Sequence, residues 1–327
     1  MMGMTEKTEI AVGDIGGTHA RYAMAEIAGG RVVRLGEPVT FRTRDFASLA
    51  MSWEAFGRGL GRDLPRAAAL AVACPVSGEV LQLTNNPWVI RPATLAQELG
   101  VEALTLVNDF GAVGHAVGAL GPEHLMHLAG PDSGLPAEGV VSVIGPGTGF
   151  GVAHVLRVAG KSFVIECEGG HMDFSPLDTL EDAILAKLRQ RYTRVSVERV
   201  VSGPGLKNIY EALGEIEDRE VQLLEDTALW GLAIEGKDAL AAVALQRFCL
   251  SLGAVAGDLA LAQGAAAVVI AGGIVPRIAH LLPKSGFGER FVAKGRFERF
   301  MSGIPVKLIT HPQPGLLGAA AAFAANR

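Results

Sequence analysis

Two glycine-rich turns, each set between short apolar segments, constrain the fold of this 327-residue chain more than any other feature. The first is Gly13-Asp14-Ile15-Gly16-Gly17-Thr18 and the second is Gly145-Pro146-Gly147-Thr148-Gly149. Apolar residues precede each turn and alternating residues follow it, which predicts a β-hairpin at both places. Glycine lets the backbone approach a ligand closely, and successive amide hydrogens with a threonine hydroxyl can bind an anion. The pair therefore predicts two phosphate-binding hairpins that hold one nucleotide.

Only the first turn carries an acidic residue, Asp14. A carboxylate beside a polyphosphate is favourable chiefly when Mg²⁺ lies between them, so we expect Asp14 to bind Mg²⁺ through water. The alternative is two ordinary hairpins, with Asp14 making a local turn. The matched contexts of the two turns favour phosphate binding. Neither turn has the residue pattern of a Walker A loop or of a dinucleotide-binding fingerprint.

Composition narrows the class of protein. Apolar residues make up 49% of the chain and charged residues 19%, which is typical of a globular protein, and the length allows two domains. The net charge of −5 argues against nucleic acid or an anionic membrane as a partner. No uninterrupted apolar run reaches the ~20 residues that span a bilayer, and the polar start gives no secretory signal. With Cys74, Cys167 and Cys249 far apart, we expect reduced thiols in a cytoplasmic protein.

The pattern of strands and helices runs twice along the chain, which predicts two α/β domains with a cleft between them. Asp45 is expected to cap a helix in the first half. Asp238 is expected to cap a long alanine-rich helix that runs to about Gln263. Gly253 and Gly257 are one turn apart on that helix, so another element should pack closely against them.

A buried strand at 104–107 is expected to deliver Asn108 and Asp109 into a turn before a helix. Transfer of a phosphoryl group to a hydroxyl needs a proton acceptor, and a carboxylate at this strand end could be that general base. Asp109 could equally cap the following helix. The residues alone leave these two roles about even.

Several ordered motifs resemble bacterial glucokinases of the proteobacterial type, from Ile10 to about Ala320. Besides the two glycine turns, the motifs are Leu106-Val107-Asn108-Asp109-Phe110, Glu168-Gly169-Gly170-His171, Ser202-Gly203-Pro204-Gly205-Leu206, Ala271-Gly272-Gly273-Ile274-Val275-Pro276 and Pro314-Gly315-Leu316-Leu317-Gly318. The resemblance implies the two-domain actin-like ATPase fold of sugar kinases, which is ribonuclease-H-like, with a central cleft. It implies a small domain of residues 1–109 plus 311–327 and a large domain of residues 110–310.

The resemblance also implies ATP-dependent phosphorylation of glucose at the 6-hydroxyl, the entry step of glycolysis, with ATP and Mg²⁺ as cofactors. Asp109 becomes the expected general base. The residues expected to bind the sugar are Asn108, Asp109, Glu168, His171 and Glu198. Those expected to bind the nucleotide and its metal are Gly13, Asp14, Gly16, Gly17, Thr18, Gly147, Thr148, Gly149, Gly272 and Gly273.

Other roles are open for several of these residues. Glu168, His171 and Asp173 could be mistaken for a metal site, although no further ligand cluster is obvious. His171 could instead be a buried, satisfied histidine. Glu198 could be a solvated carboxylate in the first turn of a helix, where acids are favoured. Gly272-Gly273 could be a simple tight turn.

The chain departs from the family pattern at two positions. His19 stands where we expect Asn, and Pro146 removes one backbone donor near the second turn. Arg21 is a candidate for a phosphate contact or for a plain surface charge. The related repressor and kinase group carries a cysteine-bound zinc site soon after its Glu-x-Gly-His region. This chain has no cysteine between Cys167 and Cys249, which excludes that site.

The sequence leaves two other functions open. One is a kinase for another hexose such as fructose or mannose, and the other is a nucleotide- or sugar-binding sensor without transfer. Asp109 counts against the sensor, which needs no base. The sequence does not set the oligomeric state and leaves a homodimer open.

Overall fold

The computed structural model describes residues 7–83, 86–222 and 224–326. Its strands are β1 (Thr8–Ile15), β2 (His19–Ala28), β3 (Arg31–Leu35), β4 (Val39–Arg42), β5 (Ala67–Val72), β6 (Leu81–Gln82), β7 (Val89–Ile90), β8 (Ala103–Asn108), β9 (Leu125–Ala129), β10 (Gly139–Pro146), β11 (Phe150–Val158), β12 (Lys161–Cys167), β13 (Ala265–Ile270) and β14 (Val306–Ile309). Its α-helices are α1 (Leu49–Leu60), α2 (Pro92–Glu98), α3 (Asp109–Ala119), α4 (Thr179–Arg191), α5 (Gly203–Ile216), α6 (Asp226–Glu235), α7 (Ala239–Gln263), α8 (Val275–Ile278), α9 (Phe287–Val292), α10 (Glu298–Met301) and α11 (Pro314–Ala325).

Two mixed sheets share one pattern of pairing. One has the order β3-β2-β1-β5-β8, with β4 also paired to β2, and the other has the order β12-β11-β10-β13-β14-β9. In the first, β1 is antiparallel to β2 and parallel to β5, which is parallel to β8. In the second, β10 is antiparallel to β11 and parallel to β13, which is parallel to β14. An antiparallel hairpin followed by two parallel strands thus occurs twice, which confirms the predicted α/β class and both predicted hairpins.

The chain divides into two compact units. The first consists of residues 1–121, 162–166 and 311–327, and the second of residues 122–161 and 167–310. Helix α3 belongs to the first unit because it packs on α11, where the Ala112 carbonyl occupies the space that a Cβ on Gly318 would need. The first unit therefore extends beyond residue 109, where we expected the small domain to end. The predicted domain division itself stays a prediction.

In the first unit, apolar side chains of α1 pack on one face of the sheet. Trp53 and Phe56 are buried against Tyr22, whose hydroxyl lies 2.6 Å from the Ser52 hydroxyl. The predicted cap at Asp45 is wrong: Asp45 ends a short 3₁₀ turn, and the Ser48 hydroxyl accepts the first-turn hydrogen bond of α1 from the Met51 N–H. On the other face, alanines and Phe323 of α11 pack against β1 and β5.

In the second unit, the core is built around α7. The Asp238 carboxylate accepts a hydrogen bond of 2.8 Å from the Ala241 N–H, which confirms the predicted cap. Gly253 and Gly257 lie directly against the carbonyl groups of Phe287 and Phe291 on α9, as their spacing predicted. These contacts leave no room for a side chain at either glycine.

Helix α7 also has the length and mean hydropathy, 1.7 over its most apolar window, that a membrane-spanning helix would need. Within the protein, 67% of that window is buried. The helix is apolar because it lies among the other helices of the second unit, including α5, α6 and α9.

We predict opposite effects for one substitution at two helical glycines. Gly253→Ala should lower the free energy of unfolding by about 1–3 kcal/mol, because the added methyl group meets the backbone of Phe287. Gly231→Ala on α6 is the matched control: a Cβ there meets no described atom within 4 Å, so it should stabilise by about 0.5–1 kcal/mol. Urea denaturation of both variants measures the sign of each change in the free energy of unfolding. A neutral Gly253→Ala would contradict the packing described here.

Candidate functional site

The first glycine turn joins β1 and β2. The Gly16 N–H donates to the His19 carbonyl at 2.9 Å, which leaves Gly16, Gly17 and Thr18 as the loop. Only the backbone carbonyl of His19 takes part in this closing bond, so the departure from Asn at this position leaves the loop intact. Gly13 lies inside β1, and a Cβ there would be 2.6 Å from Leu70 Cδ2. Packing therefore accounts for glycine at position 13, while its role at a nucleotide stays a prediction.

Asp14 lies near the end of β1, directly opposite Arg21 on β2. Asp14 Oδ2 is 3.6 Å from Arg21 Nη1, and the carboxylate side chain is 24% exposed. A Cβ on Gly315 would lie 2.8 Å from Asp14 Cγ, so the start of α11 covers this carboxylate. Burial raises the pKa of Asp14 above its usual value, and Arg21 opposes that shift. Arg21 is therefore a partner of Asp14 rather than a plain surface charge.

Asn108, not Asp109, caps the helix after β8. Its Oδ1 atom accepts hydrogen bonds from the N–H groups of Phe110 and Gly111 at 2.9 and 3.2 Å, and its Nδ2 donates to the Cys74 carbonyl at 3.2 Å. Among the described residues, the second amide hydrogen of Asn108 has no acceptor, so it is available to a ligand.

Asp109 is the first residue of α3 and is half-buried. Its Oδ1 accepts a hydrogen bond of 2.8 Å from the Phe110 N–H. Burial and then the Asp109 charge raise the pKa of the Cys74 thiol. Since Asn108 carries out the capping, the capping hypothesis for Asp109 loses its main support.

Sequence reasoning missed Glu166 in this unit. Its Oε1 atom accepts a hydrogen bond of 3.1 Å from the Asn108 N–H, and its side chain lies against Gly111. Nothing in the local pattern around Glu166 signals this contact, which joins residues 58 positions apart.

In the second unit, the glycine turn between β10 and β11 has Gly147, Thr148 and Gly149 as its loop. The Gly147 N–H donates to the Gly149 carbonyl at 2.8 Å, and the Gly147 carbonyl accepts 2.7 Å from the Gly203 N–H at the start of α5. Pro146 is the last residue of β10 and is buried, so it lies outside this three-residue loop. Thr148 is exposed.

Glu198 reaches this second loop. It lies in a 3₁₀ turn, Val197–Arg199, and its Oε2 atom accepts a hydrogen bond of 2.9 Å from the Phe150 N–H. The same carboxylate lies directly against Gly149. The alternative of a merely solvated carboxylate is therefore wrong for Glu198, because the group is bound to the hairpin backbone.

Glu168 directly precedes the 3₁₀ turn Gly169–His171, which ends at His171 and rests on β11. A Cβ on Gly169 would be 2.9 Å from Val152 Cγ2, and Gly170 lies against the Phe150 carbonyl. Both Glu168 and His171 are exposed, so the alternative of a buried histidine is wrong.

The turn that carries Glu168 and His171 is joined to the turn that carries Glu198. The Val197 N–H donates to the Met172 carbonyl at 2.8 Å. Asp173 instead pairs with Arg194, at 2.5 Å. The described part of the chain holds no group of three His, Cys, Asp or Glu residues that could bind a metal, so it does not support the metal alternative for Glu168, His171 and Asp173.

Gly272 and Gly273 follow β13. Gly272 has φ of +86° and lies against the Pro146 carbonyl, so both its conformation and its packing require glycine. A Cβ on Gly273 would meet no described atom within 4 Å. A side chain at position 273 would therefore face open space. The turn follows β13, which pairs with β10, the strand before the second loop.

The predicted site residues fall into two groups, one in each unit. The first unit holds Gly13, Asp14, Gly16, Gly17, Thr18, Asn108 and Asp109, and the second holds Gly147, Thr148, Gly149, Glu168, His171, Glu198, Gly272 and Gly273. Within the second unit, Glu198, which is predicted to bind sugar, directly contacts Gly149, which is predicted to bind phosphate.

Comparison with known proteins gives a consistent result. The sequence model of the family described as Glucokinase matches residues 11–326. The glucokinase of Zymomonas mobilis subsp. mobilis is 65% identical over 316 residues, which cover 97% of this chain and 98% of that protein.

Solved structures agree with the family match. The crystal structure of a glucokinase from an Antarctic psychrotroph is 34% identical, with a TM-score of 0.84 over 96% of this chain and 98% of that one. A ROK family glucokinase from Streptomyces griseus, in complex with glucose and AMPPNP, is 20% identical with a TM-score of 0.62, over 96% of this chain and 98% of that one. These likenesses confirm the predicted two-domain actin-like sugar-kinase fold. Matched over nearly its whole length by the family's sequence model and by a close relative, the chain belongs to the glucokinase family.

Proposed function

We propose that this chain is an ATP:D-glucose 6-phosphotransferase that forms glucose 6-phosphate. The observation that carries the proposal is the hydrogen bond between the Glu198 carboxylate and the Phe150 N–H, directly after the second glycine loop. A residue predicted to bind sugar thus contacts a loop predicted to bind phosphate, and a phosphotransferase needs its acceptor next to its donor. Membership of the glucokinase family supports glucose and ATP as the two substrates.

The roles of the remaining residues follow from their chemistry. Asn108, Glu168, His171 and Glu198 offer an amide, two carboxylates and an imidazole, which can pair with the hydroxyl groups of a neutral sugar. Asp109 takes the proton of the 6-hydroxyl as that oxygen attacks the terminal phosphorus. The N–H groups of the two glycine loops, with Gly272 and Gly273, hold the nucleotide.

The environment of Asp14 fits a magnesium ion. Asp14 provides a single, largely buried carboxylate beside a loop with backbone N–H donors. A Mg²⁺ ion bound through one carboxylate takes its other ligands from phosphate and water. When bound, the ion neutralises charge on the phosphates. Asp14 would hold it through water, and Arg21 would balance the carboxylate in its absence.

The state of the cysteines bears on the cellular compartment in which the reaction takes place. The described thiols, Cys74, Cys167 and Cys249, are free, which suits a reducing compartment. We therefore place the enzyme in the cytoplasm, and the reaction we propose there is the entry step of glycolysis. The net charge of −5 argues against a nucleic-acid or anionic-membrane partner. A homodimer stays a prediction.

Among hexoses, glucose should give the highest kcat/KM with ATP and Mg²⁺, and chelation of Mg²⁺ should abolish the reaction. The comparison uses purified protein, an ADP-coupled assay, and glucose, fructose and mannose at matched concentrations. A higher kcat/KM for fructose or mannose would make this a kinase for that sugar. Binding of glucose and nucleotide without any turnover would favour the sensor.

Asp109→Asn should lower kcat by ~10²–10⁴ while glucose still binds, because the amide keeps the shape of the carboxylate but cannot accept the proton. Steady-state kinetics and calorimetric titration with glucose separate the two effects. Asp182→Asn, which changes an exposed aspartate in the first turn of α4, is the control and should keep wild-type kcat. Normal turnover by Asp109→Asn would rule out the base assignment.

A further inference from the structure

Thr43 lies behind the first glycine turn, and the strand pairing explains how it reaches that place. Strand β4 is antiparallel to β2, with Arg42 opposite His19. The chain continues past Arg42, so Thr43 comes next to the loop that precedes His19. Thr43 is 3% exposed, although threonine is a polar residue on a short 3₁₀ turn.

Thr43 donates two hydrogen bonds to that loop. Its hydroxyl donates to the Gly17 carbonyl at 2.8 Å, and its N–H donates to the Thr18 carbonyl at 3.0 Å. One buried residue therefore holds two consecutive carbonyl groups of the loop on the inner side.

Because the peptide bond is planar, these contacts also fix the direction of the Thr18 N–H. In a trans peptide, the carbonyl of one residue and the N–H of the next point in opposite directions. When Thr43 holds the Gly17 carbonyl, the Thr18 N–H must therefore point away from Thr43. Across the described residues, the N–H groups of Gly17 and Thr18 have no backbone acceptor.

We propose that Thr43 is a positioning residue for nucleotide phosphate: its hydroxyl fixes the Gly17–Thr18 peptide so that the Thr18 N–H is presented to a phosphate oxygen. This role rests on the proposed function of the loop. Thr43 itself makes no contact with the nucleotide and acts only through the loop backbone.

Thr43→Val tests this role because valine has nearly the same shape and keeps the backbone N–H that binds the Thr18 carbonyl. Only the hydroxyl donor is lost, so the Gly17–Thr18 peptide is free to rotate. The affinity for the Mg²⁺ complex of a non-hydrolysable ATP analogue should fall by about 5- to 20-fold. The affinity for glucose should stay within about twofold of wild type. Thr43→Ser, which restores the hydroxyl, should recover most of the nucleotide affinity.

Ser52→Ala is the matched control in the same unit. Ser52 is also a buried hydroxyl that donates to a backbone carbonyl, that of Leu49 at 2.8 Å. Ser52→Ala should lower the melting temperature of the protein at least as much as Thr43→Val does, and it should leave the nucleotide affinity unchanged. A merely structural role for Thr43 would make the two variants behave alike.

Calorimetric titrations of wild type, Thr43→Val, Thr43→Ser and Ser52→Ala with the nucleotide analogue and with glucose supply all the comparisons. Unchanged nucleotide affinity in Thr43→Val, or an equal loss for nucleotide and glucose, would overturn the proposal. The titrations need no turnover, so they stand apart from the proposed function. If wild type binds the nucleotide but does not phosphorylate glucose, the proposed function fails and the role of Thr43 is still decided. If wild type does not bind the nucleotide, the role of Thr43 fails as well.

Discussion

Close approach of backbone segments at glycine is the constraint on which the candidate site depends. The start of α11 can cover the Asp14 carboxylate only because residue 315 has no side chain. In the same way, Gly170 lets the turn that carries His171 rest on β11, and Gly272 lets the chain turn against the Pro146 carbonyl. Any larger residue at these three places would push a candidate binding segment away from the hairpin beside it. Glycine-rich motifs therefore mark the candidate site through packing as well as through their proposed contact with phosphate.

Much of the fold could be predicted from the sequence, because its signals are local. Both hairpins follow from a glycine turn between apolar strands, and the Asp238 cap follows from its place before an alanine-rich run. The prediction that Asp45 caps α1 is wrong because Ser48, three residues later, lies directly before the helix and caps it instead. Likewise, the capping hypothesis put Asp109 at a helix end that Asn108 in fact caps. Neighbouring polar residues can each cap a helix, and only the backbone geometry decides between them.

The candidate site was less accessible to sequence reasoning. The two glycine loops and Asp14 could be singled out from residue chemistry alone, whereas Glu168, His171 and Glu198 depended on the resemblance to a family. Contacts across long sequence separations gave no signal. The Glu166 carboxylate at Asn108 and the Thr43 hydroxyl behind the first loop became visible only in the structure. Thr43 reaches the first loop through the pairing of β4 with β2, and Glu166 lies 58 positions from Asn108, so local patterns encode neither contact.

We infer that the chain moves a phosphoryl group from ATP to the 6-hydroxyl of glucose. The most direct measurement is the position of the new phosphate ester, read by ¹³C and ³¹P nuclear magnetic resonance on the products of ATP, Mg²⁺ and ¹³C-labelled glucose. We expect one sugar product, in which the phosphorus couples to carbon 6 through two bonds and to carbon 5 through three. A product whose phosphorus shows no coupling to carbon 6, or formation of ADP with no sugar phosphate, would contradict this.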